Sequence, residues 1–211
     1  MRTLPDTDIY AVLSDEYSRG RGNVETARLL LEAGVKIIQY REKNFAVQRR
    51  LEECTAVKRL CAAHGACFII NDDVDLARAV QADGLHLGQS DTRPEEARRL
   101  IGDKMLLGYS VTTQYEIDRA KNIPGIDYLG VGPVFATGTK PDAASPGGLA
   151  LLDYALANSD RPIVAIGGIK LEQVTALTRR GVRYLAMVSE LVGAEDIRQK
   201  VVDIRAVIAG C

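Results

Sequence analysis

At 211 residues, 46% of them apolar, the chain is long enough to bury one substantial core. A formal net charge of −1, with no basic arm or acidic tail, argues against a nucleic-acid partner, and the absence of tryptophan argues against a base-stacking platform. No apolar run approaches the roughly 20 residues needed to span a bilayer, and the stretch from Met1 to Tyr10 is too polar for a signal peptide, so the expected setting is the cytoplasm, with no membrane partner.

Short apolar runs alternate with amphipathic segments along the whole length. Strands are expected over 9–14, 36–41, 67–71, 84–87, 105–110, 128–134, 163–167 and 184–188. They read as continuous apolar runs, the pattern of parallel strands covered on both faces. Between them, helices are expected over 24–33, 46–64, 76–81, 94–101, 114–122, 149–158, 171–180 and 195–208. Asn23 is an N-cap candidate and Pro94 sits at a first helical position. Gly34, Gly65, Gly102 and Gly181 each close a helical segment before the next strand. Eight βα units in a chain of this length fit a single (β/α)8 TIM barrel, an α/β fold, spanning residues 1–211 as one domain. A doubly wound open sheet is the alternative, but no GxGxxG follows the first strand. The cysteines at 54, 61, 67 and 211 have no metal-like spacing, and Cys54 and Cys61 are seven apart, placing them on one helix face as reduced, structural thiols.

In such a barrel the site lies at the C-terminal ends of the strands. Gln39-Tyr40-Arg41-Glu42-Lys43 follows the second apolar run. With period-two alternation, Gln39, Arg41 and Lys43 line one face, an amide and two cations suited to a polyanion; Tyr40 and Glu42 face the helices. Surface ion pairing of the same charges is the alternative. Asp72 and Asp91 end neighbouring units, and two converging carboxylates repel unless a cation lies between them. Oxygen ligation completed by a diphosphate suits Mg2+. Helix capping is the competing role; Asp73 is the better cap for the third helix, which frees Asp72. His86 points into the barrel or its rim, as a positioning group or as a packed histidine. Thr137-Gly138-Thr139-Lys140 opens a long loop to Gly148 whose hydroxyls, amides and lysine suit phosphate oxygens and which has the length of a lid. Gly167-Gly168 would let a ligand approach the backbone, or else serve a tight turn.

The ordered series IYAVLSD, QYREK, IIND, GLHLGQSD, GYSVTT, GVGPVFATGTK, AIGGI and the final VS resembles the thiamin phosphate synthase family over nearly the whole chain. The resemblance implies a barrel that joins 4-amino-5-hydroxymethyl-2-methylpyrimidine diphosphate to 4-methyl-5-(2-phosphoethyl)thiazole or its carboxylated form. The expected products are thiamin phosphate and pyrophosphate. By motif, Gln39, Tyr40, Arg41, Glu42, Lys43, Asn71, Ser110 and Lys140 would bind the pyrimidine diphosphate, and Asp72 and Asp91 would hold Mg2+. Thr137, Gly138 and Thr139 would meet the thiazole, with Gly167, Val188 and Ser189 on its phosphate. Arg41, Lys43, Ser110 and Lys140 are the expected catalytic groups, the cations neutralising the departing pyrophosphate. Tyr109, where the family has a smaller residue, is expected to reshape the pyrimidine pocket, and Ser145-Pro146-Gly147-Gly148 to alter the lid. A thiazole tautomerase of a related type and a non-catalytic thiamin phosphate binder are the competing readings. Partners are small molecules, with a homodimer left open.

Overall fold

Eight parallel strands pair in chain order and close into a barrel. They are β1 (Ile9–Leu13), β2 (Ile37–Tyr40), β3 (Cys67–Asn71), β4 (Gly84–Leu87), β5 (Leu106–Val111), β6 (Tyr128–Val131), β7 (Ile163–Ile166) and β8 (Tyr184–Met187), with β8 returning to β1. The structure is a computed structural model that describes residues 3–139 and 146–211. Around the barrel run α1 (Gly22–Glu32), α2 (Val47–Ala63), α3 (Val74–Ala79), α4 (Pro94–Ile101), α5 (Gln114–Lys121), α6 (Gly148–Asn158), α7 (Leu171–Thr178), α8 (Ser189–Val192) and α9 (Ile197–Ala209). The fold is the expected (β/α)8 barrel.

Alternation along each strand splits the apolar residues into two cores. Ile9, Ala11, Leu13, Ile38, Ile70 and Leu85 pack outward under the helices. Tyr10, Val12, Ile37, Ile69, Leu106 and Tyr128 fill the barrel itself. Burial on both faces is why the strands carry no polar alternation, and each buried aliphatic side chain contributes about 1.5–3 kcal/mol. Cys54 and Cys61 lie on the buried face of α2 with Val57, as their spacing implies.

Boundaries moved where local hydrogen bonds outvoted the pattern. α1 starts at Gly22 rather than after Asn23, because Ser18 Oγ accepts from Gly22 N at 3.1 Å and so serves the first turn. Asn23 is buried inside the helix, donating to Glu42 and Glu53. α3 starts two residues early, at Val74, because Asp73 Oδ1 accepts from Leu76 N at 2.9 Å. β6 ends at Val131 and not at 134, since the next residues are Gly132 and Pro133 (joined by a cis peptide), and proline has no N–H for the ladder. The 3-10 turn Asp15–Tyr17 and the short α8 have no counterpart in the sequence pattern.

The N-terminal end of the barrel is clamped by charge. Arg98 donates to the carbonyls of Gly102, Met105 and Gly125 and pairs with Asp127 at 2.8 Å; Asp127 also accepts from Leu107 N. Arg205 ties Asp8 to the carbonyls of Ala33 and Gly34. With that end held by ion pairs, the opposite rim is left for chemistry. No helix among the described residues is long and apolar enough to cross a membrane.

Candidate active site

β2 stops at Tyr40, so Arg41 and Lys43 sit in the following loop and period-two alternation does not govern them. Gln39 does obey it: its side chain enters the barrel, where Nε2 donates to Tyr10 Oη at 2.7 Å. Tyr40, on the opposite face, donates its hydroxyl to Glu53 of α2 at 2.9 Å. Glu42 accepts from Asp15 N and from Asn23 Nδ2, and burial raises its carboxyl above the usual range. Tyr40 and Glu42 therefore brace the loop from behind and do not line the rim. This is the facing expected from alternation; their motif-derived place among the substrate contacts is a separate expectation.

Lys43 reaches across to the next unit, its Nζ 3.2 Å from Asp72 Oδ2. Asp72 follows β3 in the left-handed region, at φ 62°, and its amide donates to His86 O at 2.8 Å. That hydrogen bond holds the turn open, and Asp73, not Asp72, caps α3. Burial and the hydrogen-bonded Asp91 carboxyl push the Asp72 carboxyl up to about 6, with Lys43 pulling the other way. Asp91 does not cap α4, whose N-cap is Arg93 without a side-chain bond. Its Oδ2 instead accepts from Gly88 N at 2.7 Å, closing the loop that presents it to Asp72. Asp72, Asp91 and Lys43 are thus brought to one point.

Two carboxylates forced together at a rim fit a hard divalent cation. Among the described residues no group of three or more His, Cys, Asp or Glu could hold a metal. A cation here would take its other oxygens from water and a substrate.

Asn71 ends β3 beside His86 in register. Ser110, half-buried on β5, contacts His86 Nε2 through Oγ at 2.8 Å, and its carbonyl accepts from Gln89 Nε2. Tyr109 turns outward into the barrel–helix layer, its hydroxyl donating to Gln89 Oε1 at 3.0 Å. Strand alternation sends Tyr109 away from the barrel interior, so any effect on the pyrimidine pocket would pass through Gln89.

Thr137 and Thr139 bond to each other through their hydroxyls at 3.1 Å, and Tyr17 Oη reaches Gly138 O at 3.5 Å. Lys140 and Ser145 lie outside the described residues, as does the middle of the expected lid. Gly167 and Gly168 both have positive φ, 99° and 63°. A Cβ on Gly167 would strike Pro133 and one on Gly168 would strike Ala136 O. The tight turn and the 133–136 segment packed on it therefore require both glycines. Val188 and Ser189 lead into α8, whose first amides lack intrahelical acceptors. The sequence reading missed Tyr10 and Tyr128, taken as strand apolar residues; glycines at 108 and 130 on neighbouring strands were the available signal.

A closed parallel barrel that gathers paired carboxylates and a lysine on its C-terminal rim has the architecture of the (β/α)8 enzymes. The family model described as thiamine monophosphate synthase matches residues 9–191. The chain is 45% identical over 206 residues to the thiamine-phosphate synthase of Pelotomaculum thermopropionicum, covering 98% of this chain and 94% of that protein. It is 42% identical over 193 residues to that of Caldicellulosiruptor bescii, covering 92% and 88%. The solved thiamine phosphate pyrophosphorylase from Pyrococcus furiosus superposes with a TM-score of 0.88 at 33% identity, covering 97% and 96%. The chain belongs to the thiamine monophosphate synthase family.

Proposed function

We propose that this transferase joins 4-amino-5-hydroxymethyl-2-methylpyrimidine diphosphate to 4-methyl-5-(2-phosphoethyl)thiazole, or its carboxylated form, with Mg2+, giving thiamin phosphate and pyrophosphate. The observation that carries the reading is the convergence of Lys43, Asp72 and Asp91 on one rim position. The bond broken joins the pyrimidine methylene to the diphosphate, which leaves with the electron pair. The bond formed uses the thiazole nitrogen lone pair. Asp72 and Asp91 would hold Mg2+, which would supply positive charge to offset that developing on the leaving oxygens.

In this reading Lys43 and Arg41 face the departing diphosphate. Gln39, Asn71 and Ser110 orient the pyrimidine. Thr137, Gly138 and Thr139 meet the thiazole, and the amides of Gly167, Val188 and Ser189 take its phosphate. Lys140 belongs to the same reading by motif alone. No side-chain nucleophile is required, so acceleration comes from electrostatics and positioning. The reading takes residues 1–211 as one domain working in the cytoplasm, where the free thiols of Cys54, Cys61 and Cys67 stay reduced.

The test is a coupling assay with each substrate alone and both together, with and without Mg2+. Pyrophosphate release only when both substrates and Mg2+ are present supports the reading. Isomerisation of the carboxythiazole phosphate without coupling would replace it with the tautomerase activity, and tight product binding without turnover with a binding role.

A further inference from the structure

A chain of hydrogen bonds crosses the barrel interior from β2 to β5. Gln39 Nε2 donates to Tyr10 Oη at 2.7 Å, Tyr10 Oη meets Tyr128 Oη at 2.9 Å, Tyr128 Oη meets His86 Nδ1 at 3.0 Å, and His86 Nε2 meets Ser110 Oγ at 2.8 Å. Its two ends, Gln39 and Ser110, are residues assigned above to the pyrimidine. Of its three middle members, Tyr10 and Tyr128 have no assigned role, and His86 stands between a positioning group and a packed histidine.

The barrel is built around this chain. Gly108 lies between His86 and Tyr128 in register, paired to one on each side. A Cβ at Gly108 would enter the Tyr128 ring and strike His86 Nδ1, and one at Gly130 would come within 2.9 Å of His86 Cε1. Two strand glycines, each weakening its strand, clear the room for one histidine and one tyrosine.

Such a chain is directional, because each hydroxyl donates once and a neutral imidazole has one N–H. With the Gln39 amide donating to Tyr10, the order that uses every donor within the chain has Tyr10 donating to Tyr128 and Tyr128 to His86 Nδ1. In that order His86 would hold its proton on Nε2 and donate it to Ser110 Oγ. Burial raises both tyrosines well above the ordinary phenol range, so neither loses its proton within working pH. That arrangement would set the groups presented at the rim. The edge of the Gln39 amide turned away from Tyr10 carries the acceptor Oε1, and the Ser110 hydroxyl proton is left for a ligand acceptor.

We propose that Tyr10, Tyr128 and His86 are positioning residues that lock Gln39 as an acceptor and Ser110 as a donor toward the pyrimidine. An aminopyrimidine offers the complement, an exocyclic N–H donor and ring-nitrogen acceptors. A ring bearing a carbonyl in place of the amino group would meet acceptor against acceptor at Gln39, and a polar site rejects such a mismatch strongly. The inference about the ligand rests on the reading under Proposed function; the inference about the proton arrangement does not.

Nitrogen-15 NMR of the histidine-labelled protein tests the arrangement directly. The chain has two histidines. His64 is an internal reference, because its Nδ1 contacts Leu60 O at 2.9 Å and a carbonyl can only accept, which puts the proton on Nδ1. The expected spectrum shows opposite tautomers, Nδ1–H for His64 and Nε2–H for His86. His86 as Nδ1–H, or doubly protonated at neutral pH, would overturn the proposal whether or not the protein makes thiamin phosphate. In Tyr128→Phe, which keeps the ring, His86 should become a tautomer mixture. KM for the pyrimidine diphosphate should rise about fivefold to tenfold, the scale of one misaligned hydrogen bond, while KM for the thiazole phosphate stays unchanged. Tyr10→Phe should raise the same KM. A Tyr128→Phe protein that keeps both the pure tautomer and the original KM sinks the positioning role, and equal rises in both KM values reassign the effect to general packing.

Discussion

Lys43 Nζ lies 3.2 Å from Asp72 Oδ2, a contact that spans the loops after two adjacent strands. Lysine holds the place of a cation beside a carboxylate that burial and Asp91 keep hard to ionise. In the proposed reading, Lys43 is already within reach of the diphosphate that a divalent ion would accompany. Asp72→Asn should therefore lower pyrophosphate release at saturating substrates by at least about tenfold, the equivalent of 1.4 kcal/mol, and raise the Mg2+ concentration needed for half-maximal rate. Full activity with unchanged Mg2+ demand in the Asp72→Asn, Asp91→Asn double variant would remove the metal assignment.

The raised Asp72 carboxyl has a consequence for stability. An unfolded aspartate titrates near about 3.9. Between there and about 6 the folded chain keeps a proton that the unfolded chain has lost. The contribution of this group to stability is thus full below about pH 4 and disappears as pH rises through about 6. Glu42, raised by burial, acts in the same direction. Thermal unfolding of metal-free protein from pH 4.5 to 7.5 should show this decline, and Asp72→Asn should flatten part of it. Added Mg2+ should restore stability most at the upper end, where both carboxylates are ionised.

Asp73 is the control for its neighbour. It caps α3 and pairs with Arg50 at 2.8 Å, away from the Lys43 cluster. Asp73→Ala should cost about 1 kcal/mol in a denaturant titration, the value of a lost cap, with the Mg2+ dependence of the reaction unchanged. A large shift in Mg2+ demand would mean that the two aspartates had been assigned the wrong way round.

Tyr40→Phe separates bracing from substrate contact. Removing the hydroxyl leaves Glu53 with Asn23 and Arg49 as donors and should destabilise the fold by about 1.5–3 kcal/mol, the range for a hydrogen bond to a charged group. Neither substrate KM should move beyond about twofold at a temperature where the variant is folded, a change worth under 0.5 kcal/mol. A selective rise in the pyrimidine KM would return Tyr40 to the rim.

Gly168→Ala should act at a distance. The new Cβ meets a left-handed backbone and the Ala136 carbonyl, so the 133–136 segment has to shift. The expected result is a raised KM for the thiazole phosphate with a smaller change for the pyrimidine, alongside a loss of about 1–3 kcal/mol in stability. Equal KM values for variant and parent would show that the segment tolerates the shift.

The strands were readable because a buried parallel strand carries its signal in every residue, as Ile37-Ile38 and Cys67 to Ile70 do. Helix starts were less so. Asn23 has the chemistry of a cap, yet Ser18 serves the first turn from four residues upstream, and no window rule weighs a hydroxyl outside the helix. Asp72, Asp91 and Lys43 were legible as a cluster because barrel topology sends all strand ends to one rim. The partition of QYREK was only half legible, since Gln39 and Tyr40 obey strand alternation and Arg41 and Lys43 lie beyond it. The interior hydrogen-bond chain escaped because tyrosine in an apolar strand run is indistinguishable from packing until its partners, more than a hundred residues away, are in view.

The contact between the Gly167-Gly168 turn and residues 133–136 makes two rim loops a single mechanical part. Val134 N and Phe135 N donate to the carbonyls of Ile166 and Gly167, so the backbone leading to Thr137 is registered against the turn after β7. For anyone redesigning the acceptor specificity of this barrel, the exchangeable cassette is the pair. Grafting either loop alone from a relative breaks the register that aims the other, whereas moving both together preserves it.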